Sequence, residues 1–509
     1  MKKGIVPVFV RNAGVFGLLL FVLAGSSCNP STDPFAKFNV YDEGLGKRIE
    51  TYHHRISSNP NASKMGNPAI YIDFSSGINK AFADPVVKGM MTDCFNTVLA
   101  EKFDVYKLGL GKITALNVAN TTELGQKVSD ASQYSDIYAP IQSAVEKIVD
   151  GNHDVLLITD FEEWQKNSEV TNAAFLKMPF SKWLGKGNSI HFFIVDYKEG
   201  KVDKHLYFTV FNSGRPTPSS MISKLESKLA PLSTRFDLSN AAYQLQTKYS
   251  GAQSGGIFYD EQGKSDQKNV LDLKGNYING LKNGDNFEFY PLGLDWKNID
   301  KLHTAYAAQG QFNDFFRKLY IDLSNNDSYT FGDLEVKVLD VTADFENLSK
   351  SEEVLKHKPK LVTGSNGETK VADHQDDVIA SGCYTNDGKL KEEWLYKPSA
   401  GNLLNDVFIL NKTLFANTRN SDQKNTEIAV SFDPKFNLKN IQNPDALVKV
   451  DILLADAQPN LKNSKLSKFQ WVNANQVPNV ALYESIKNTL EEVKPVNKNI
   501  YSYYIKTKQ

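Results

Sequence analysis

Cysteine is nearly absent from this chain. Three residues in 509 are too few for a disulfide framework, and the two within the body, Cys94 and Cys383, are expected as buried free thiols. An excess of one charge is also lacking. Lysine and arginine number 58 against 59 aspartates and glutamates, and no basic stripe interrupts the balance. General nucleic-acid binding is thereby excluded, because phosphate neutralisation needs concentrated positive charge. Beyond the N-terminal segment no apolar run reaches the roughly 20 residues of a membrane helix. No H-E-x-x-H pair and no G-x-S-x-G elbow is present, so zinc and serine hydrolase chemistry have no motif to stand on. Gly109-Leu110-Gly111-Lys112 lacks the remaining spacing of a phosphate loop and reads as a turn.

What is present begins with a targeting pattern. Lys2, Lys3 and Arg11 precede the apolar run Gly14 to Ala24, too short to span a bilayer comfortably, and the run ends in Leu23-Ala24-Gly25-Ser26-Ser27-Cys28. Small residues before a cysteine resemble the bacterial lipobox, which implies a signal peptide over 1–27 and an acylated Cys28 tethering the mature protein to the membrane. The following Asn29-Pro30-Ser31-Thr32-Asp33 has no acidic run of the kind that resembles a surface-export signal. The periplasmic face of an outer membrane is therefore favoured over the cell surface.

The remaining pattern divides the chain. Residues 28–65 are expected as a linker and N-terminal extension, with helix possible over Lys47 to Ile56. From Pro68, strand and helix alternate: strands at Ala69–Ile72, Phe103–Leu108, His153–Thr159, Ser189–Tyr197 and His205–Phe211, and helices at Pro85–Lys102, Ile137–Ile148, Asn172–Leu184 and Ser219–Leu229. That succession predicts a doubly wound α/β domain over 66–250. Period-two runs such as Leu334–Leu339 then predict a mainly-β, sandwich-like region, split into 251–346 and 376–509 by a charged linker at 347–375.

Two of the buried strands end abruptly in aspartate, at Ile70-Tyr71-Ile72-Asp73 and at Leu157-Ile158-Thr159-Asp160, and so deliver carboxylates to one sheet edge, where open α/β sheets bind ligands. These residues resemble the von Willebrand factor A family. Asp73-Phe74-Ser75-Ser76-Gly77 matches its Asp-x-Ser-x-Ser turn at Asp73 and Ser75, Ser135 sits where the family's Thr opens a helix, and Thr159-Asp160 matches its Thr-Asp-Gly. Gly77 stands in place of the second Ser and Phe161 in place of the Gly. The resemblance implies a Mg²⁺ held by Asp73, Ser75, Ser135 and Asp160, with an acidic group of a ligand filling the open coordination position.

Glu162 and Glu163 read as dipole partners in the first turn of a helix. Trp164 and Trp183 are candidates for a binding face, although packed aromatics are commoner, and His191 reads as a core histidine. The expectation is a membrane-anchored, non-enzymatic module that binds a protein or glycan ligand through the metal edge. The alternatives are a purely structural A-like domain in an envelope assembly, or a hydrolase or glycan-processing module in the β-rich half.

Overall fold

The computed structural model describes residues 34–57, 67–98, 103–240, 247–249, 289–296, 300, 304, 314–364, 366–371, 377–473 and 476–508, apart from positions 37, 43, 110, 166, 167, 200, 201 and 215. Cys28 and the boundary expected near Ser250 lie outside the described residues. The chain forms two compact units, Gly46–Phe345 with Pro398–Gln509, and Met1–Leu45 with Glu346–Lys397.

The larger unit starts on helix α1 (Leu45–Ser57) and then builds a seven-stranded mixed sheet. Its strands are β1 (Ala69–Asp73), β2 (Asp104–Gly109), β3 (Lys112–Ala115), β4 (Val155–Thr159), β5 (Ser189–Glu199), β6 (Val202–Asn212) and β7 (Thr234–Ser239), in the order β3-β2-β1-β4-β6-β5-β7. The central trio β2-β1-β4 is parallel. The flanks are antiparallel: β3 on β2, β6 on β4, and β5 between β6 and β7. The sheet is therefore mixed, with a parallel core and antiparallel flanks, and the hairpin that Glu199-Gly200-Lys201 suggests from sequence joins two of the flanking strands. Lys198 pairs with Asp203 and Glu199 with Val202, so β5 turns back directly into β6, which runs antiparallel to β4.

Covering on both faces explains why β1 is buried at all five positions. Ile70 and Ile72 point into one core, Ala69 and Tyr71 into the other, the alternation any strand imposes. Helices α2 (Ser76–Phe82), α3 (Pro85–Val98), α4 (Thr121–Ser129) and α7 (Met221–Leu229) bury their apolar stripes on the first face. The stripe of α3 runs through Val87, Met90, Met91, Cys94 and Phe95, and Val86 is exposed. Helices α5 (Ile141–Gly151) and α6 (Lys177–Gly185) cover the second face. In α5 the buried set is Ile141, Ala144, Val145, Ile148 and Val149, a helical stripe whose larger members contribute about 1.5–3 kcal/mol each.

That second core continues without a break into the β-rich half. There the strands are β8 (Thr247–Tyr249), β9 (Phe289–Asp295), β10 (Asp314–Ile321), β11 (Leu334–Asp340), and, beyond the smaller unit's hairpin β12 (Leu361–Thr363) and β13 (Thr369–Val371), β14 (Asn402–Leu403), β15 (Phe408–Leu410), β16 (Thr426–Phe432), β17 (Leu447–Leu454) and β18 (Asn499–Lys508). They form two sheets, β8-β10-β16-β15 and β9-β18-β17-β11-β14. Each sheet mixes strands from 251–346 with strands from 376–509, so the two stretches expected as separate β domains share hydrogen-bonded sheets. The helix Ala481–Glu492 packs on α6 and buries Leu482, Ile486 and Leu490 in the shared core.

The segment 347–375, expected as a linker, carries most of a helix, Thr342–Lys356, followed by the β12–β13 hairpin. Its charge density concealed a sparse apolar pair, Leu348 and Val354, both buried. In the smaller unit Val354, Phe35, Cys383 and Tyr384 make a small core on which Trp394 and Phe38 pack. Cys94 and Cys383 are both free and buried, as the sequence suggested.

Candidate functional site

The sequence-derived residues lie where β1 and β4 end. The Asp73 carboxylate, 1% exposed, accepts the Ser75 N–H at Oδ1 (2.8 Å) and the Thr159 hydroxyl at Oδ2 (2.8 Å). Thr159 in turn accepts the Phe161 N–H at 3.1 Å. One carboxylate thus ties the turn after β1 to the turn after β4. Burial pushes the Asp73 carboxyl up to about 6, partly offset by the hydrogen bonds from Ser75 and Thr159.

Asp160 is buried and accepts the Glu162 N–H at Oδ1 (3.1 Å). Its Oδ2 faces Gly77, where an added Cβ would stand 3.7 Å away. The glycine therefore occupies the spot beside Asp160 that a second serine would fill. Phe161 takes φ +59°, a left-handed backbone that favours glycine, and keeps it because its ring is buried against Tyr207 and Phe192.

Ser135 is exposed, and its neighbour Asp136 is the residue turned inward. A parallel bridge joins Asp136 to Ser75, with the Ser76 N–H donating to the Asp136 carbonyl at 2.7 Å. Ser135, expected at this edge from sequence, lies on the exposed side of that bridge.

Glu162 and Glu163 open no helix of their own, which corrects the expectation from sequence. Phe161's left-handed turn sends the chain into a short strand, Trp164–Gln165, instead. Glu163 reaches across to cap α5, accepting the Gln142 N–H at 2.9 Å. Glu162 pairs with the buried Lys204 on β6 at 2.7 Å. Burial, then the nearby Asp160 charge, push its carboxyl up to about 8 in spite of Lys204. Trp183 is fully buried and donates to the Ser189 carbonyl, so it is not part of a binding face.

The donor chemistry of this edge, carboxylate and hydroxyl oxygen without sulfur or imidazole, suits a hard cation such as Mg²⁺. Among the described residues no three His, Cys, Asp or Glu side chains stand close enough to hold a metal ion together. An ion here would therefore draw its remaining oxygens from hydroxyls, carbonyls or water.

A second polar constellation lies away from the edge. Ser189 Oγ meets His191 Nε2 at 2.9 Å, and His191 Nδ1 meets Asp237 Oδ1 at 2.7 Å, the connectivity of a catalytic triad. The hydroxyl is fully buried in strand β5, so no substrate reaches it, and the set clamps β7 to β5. Burial alone would raise the Asp237 carboxyl, but His191 and then Arg235 hold it down at about 2. That contribution is complete above the ordinary carboxyl range and is lost as pH falls toward 2. Asp237→Asn is expected to lower unfolding free energy by about 1–3 kcal/mol at neutral pH, with the deficit shrinking in acid, as read by urea denaturation at several pH values.

No family model, no curated protein and no solved structure matches this chain.

Proposed function

We propose that the chain is a cell-envelope lipoprotein whose α/β body is a divergent, doubly wound A-type domain, acting as a non-enzymatic module that binds a protein or glycan ligand through the edge at Asp73 and Asp160. The observation that carries this reading is the fixing of Asp73 by both Ser75 and Thr159, which joins the two turns that the A-type pattern uses for its cation. Mg²⁺ is the proposed ion, and the partner's oxygen completes its coordination. Asp73→Ala combined with Asp160→Ala is expected to abolish any Mg²⁺-dependent rise in melting temperature. An unchanged melt of the parent protein in Mg²⁺ and in EDTA overturns the cation.

A second reading, a cation-free scaffold in an envelope assembly, is favoured by Gly77, which removes one hydroxyl from the turn, and by the engagement of both Asp73 oxygens within the protein. The same melt separates the two.

Membrane attachment is proposed to rest on Cys28. Among the described residues no helix is long and apolar enough to cross a membrane. Two or more acyl chains, at about 0.8 kcal/mol per buried CH₂, hold a protein stably where one is marginal. Cys28→Ser is expected to move the protein from the membrane pellet to the soluble fraction, and retention in the pellet overturns the anchor. Protease treatment of intact cells should spare the parent protein if it faces the periplasm.

A further inference from the structure

We infer that the smaller unit rests on the membrane itself, laying an apolar patch of Leu355, Leu361, Val362 and Val378 into the headgroup layer of an anionic leaflet. The inference rests on the Cys28 anchor proposed above and assigns a contact surface that an anchor alone does not require.

These four side chains are 48–53% exposed. Single exposed apolar residues are ordinary, but these are drawn together by the fold. Leu355 directly follows Val354, which packs with Phe35, Cys383 and Tyr384 in the unit's small core. The contact between His357 Nδ1 and Asp377 Oδ2, at 2.9 Å, brings the end of that helix to the residue before Val378. Leu361 lies over Gly388, where an added Cβ would clash with it, and Val362 is its neighbour on β12, a strand exposed at every position. Strands β12 and β13 form a two-stranded sheet of their own. Such a hairpin is marginal in water unless something covers it.

Two observations make lipid the occupant. The first is reach. Pro34 packs against Gly382, its Cβ 3.1 Å from where a Cβ on that glycine would stand, and Gly382 lies about one helical turn after Val378 in the helix Val378–Cys383. Pro34 is six residues on from Cys28 (34 − 28), a length of chain that spans at most about 22 Å. An acylated Cys28 therefore keeps this patch close to the lipid. The second observation is charge. Lys356, Lys358 and Lys360, all exposed, alternate through the segment between Leu355 and Leu361, which contains no acidic residue. Lys370, also exposed, pairs with Val362 across the hairpin. Glu353 and Glu368 offset Lys356 and Lys370, so Lys358 and Lys360 are the positions at which to reverse the charge. Lysine is depleted from protein–protein interfaces, whereas at a lipid surface its stem lies along apolar groups while its ammonium reaches phosphate.

The test uses the acylated protein, purified in detergent and reconstituted on vesicles of phosphatidylglycerol with phosphatidylethanolamine, or of phosphatidylcholine alone. Val362→Cys carries an environment-sensitive nitrobenzoxadiazole label, Cys94 and Cys383 being buried, and Val378→Cys carries it in a second variant. On the anionic vesicles both labels are expected to lose roughly half or more of their emission to a lipid spin label at headgroup depth. Phosphatidylcholine vesicles, or Lys358→Glu combined with Lys360→Glu, are expected to cut that quenching by about 3-fold or more. Circular dichroism melts show which variants are folded, and the two label positions guard against a local effect of either. If the protein floats with both kinds of vesicle and neither label is quenched, the anchor stands and the docking is overturned. A label shielded from water yet untouched by the lipid quencher means a protein cover, and overturns it equally. If the protein floats with neither kind of vesicle, anchor and docking fall together.

Discussion

Lowering the pH from about 8.5 to about 5 is expected to stabilise the folded protein by ~2–4 kcal/mol, the opposite of the behaviour of a chain dominated by exposed carboxylates. The source is Glu162, raised to about 8 from an ordinary 4.5 by its burial and by Asp160. Between those two values the folded state holds a proton that the unfolded state has released, so stability falls as pH rises through the window and levels off above it. Asp73, raised to about 6, adds a contribution of the same sign at the acid end. A full shift of this size would be worth more, at roughly 1.4 kcal/mol per pH unit, but the Glu162 side chain keeps 16% of its exposure and water screens the rest. Glu162→Gln removes the titrating group while its amide oxygen still accepts from Lys204. Urea unfolding at three pH values should show a flattened profile for that variant. An identical slope in parent and variant assigns the effect elsewhere.

Asp73→Ala is expected to cost about 3–5 kcal/mol, because it strands the Thr159 hydroxyl and the Ser75 N–H in a site closed to water and leaves a cavity at the junction of two turns. Asp73→Asn, which keeps an acceptor of the same shape, should cost only about 1–2 kcal/mol. The contrast separates the structural from the ion-binding role of one residue. Stability follows the alanine series by denaturant titration, whereas any Mg²⁺-dependent stabilisation should vanish in both variants.

Much of this edge was legible before any coordinates, and the reason is local. Ile70 to Asp73 and Leu156 to Asp160 each place a polar stop directly after a continuous apolar run, and both strands form at those positions. The hairpin around Glu199 was likewise legible from its turn residues, and its length set the antiparallel flank. What could not be read was pairing. Thr234 to Ser239 alternates Phe236 and Leu238 with polar residues, but so short a run does not say which strand it joins; Arg235 and Asp237 pair with each other and with Glu226 and His191, which lie elsewhere in the chain. Helix α4 has a reciprocal cap, Asn120 accepting from Glu123 N–H and Glu123 accepting from Ala119 N–H, but only Leu124 and Val128 are buried along it. Such a thin stripe is invisible beside the charge around it. The burial of Asp136 was not legible for a related reason: it depends on a bridge to Ser75, far away in the sequence.

Strand β18 lies between β9 and β17, with Tyr501, Tyr503 and Ile505 in the shared core. The order of synthesis gives this placement a kinetic meaning. Strands β9, β11 and β17 emerge long before their central neighbour, and until residue 508 is free the middle of the sheet is open, with β9 and β17 unable to meet. Pairing across such sequence distances is slow, and an unfilled sheet exposes edges that invite association. A chain built this way cannot complete its five-stranded sheet before β18 has been made, whereas the sheet β8-β10-β16-β15 needs no residue beyond Phe432. The five-stranded sheet becomes continuous in one late step, when β18 enters the gap between β9 and β17.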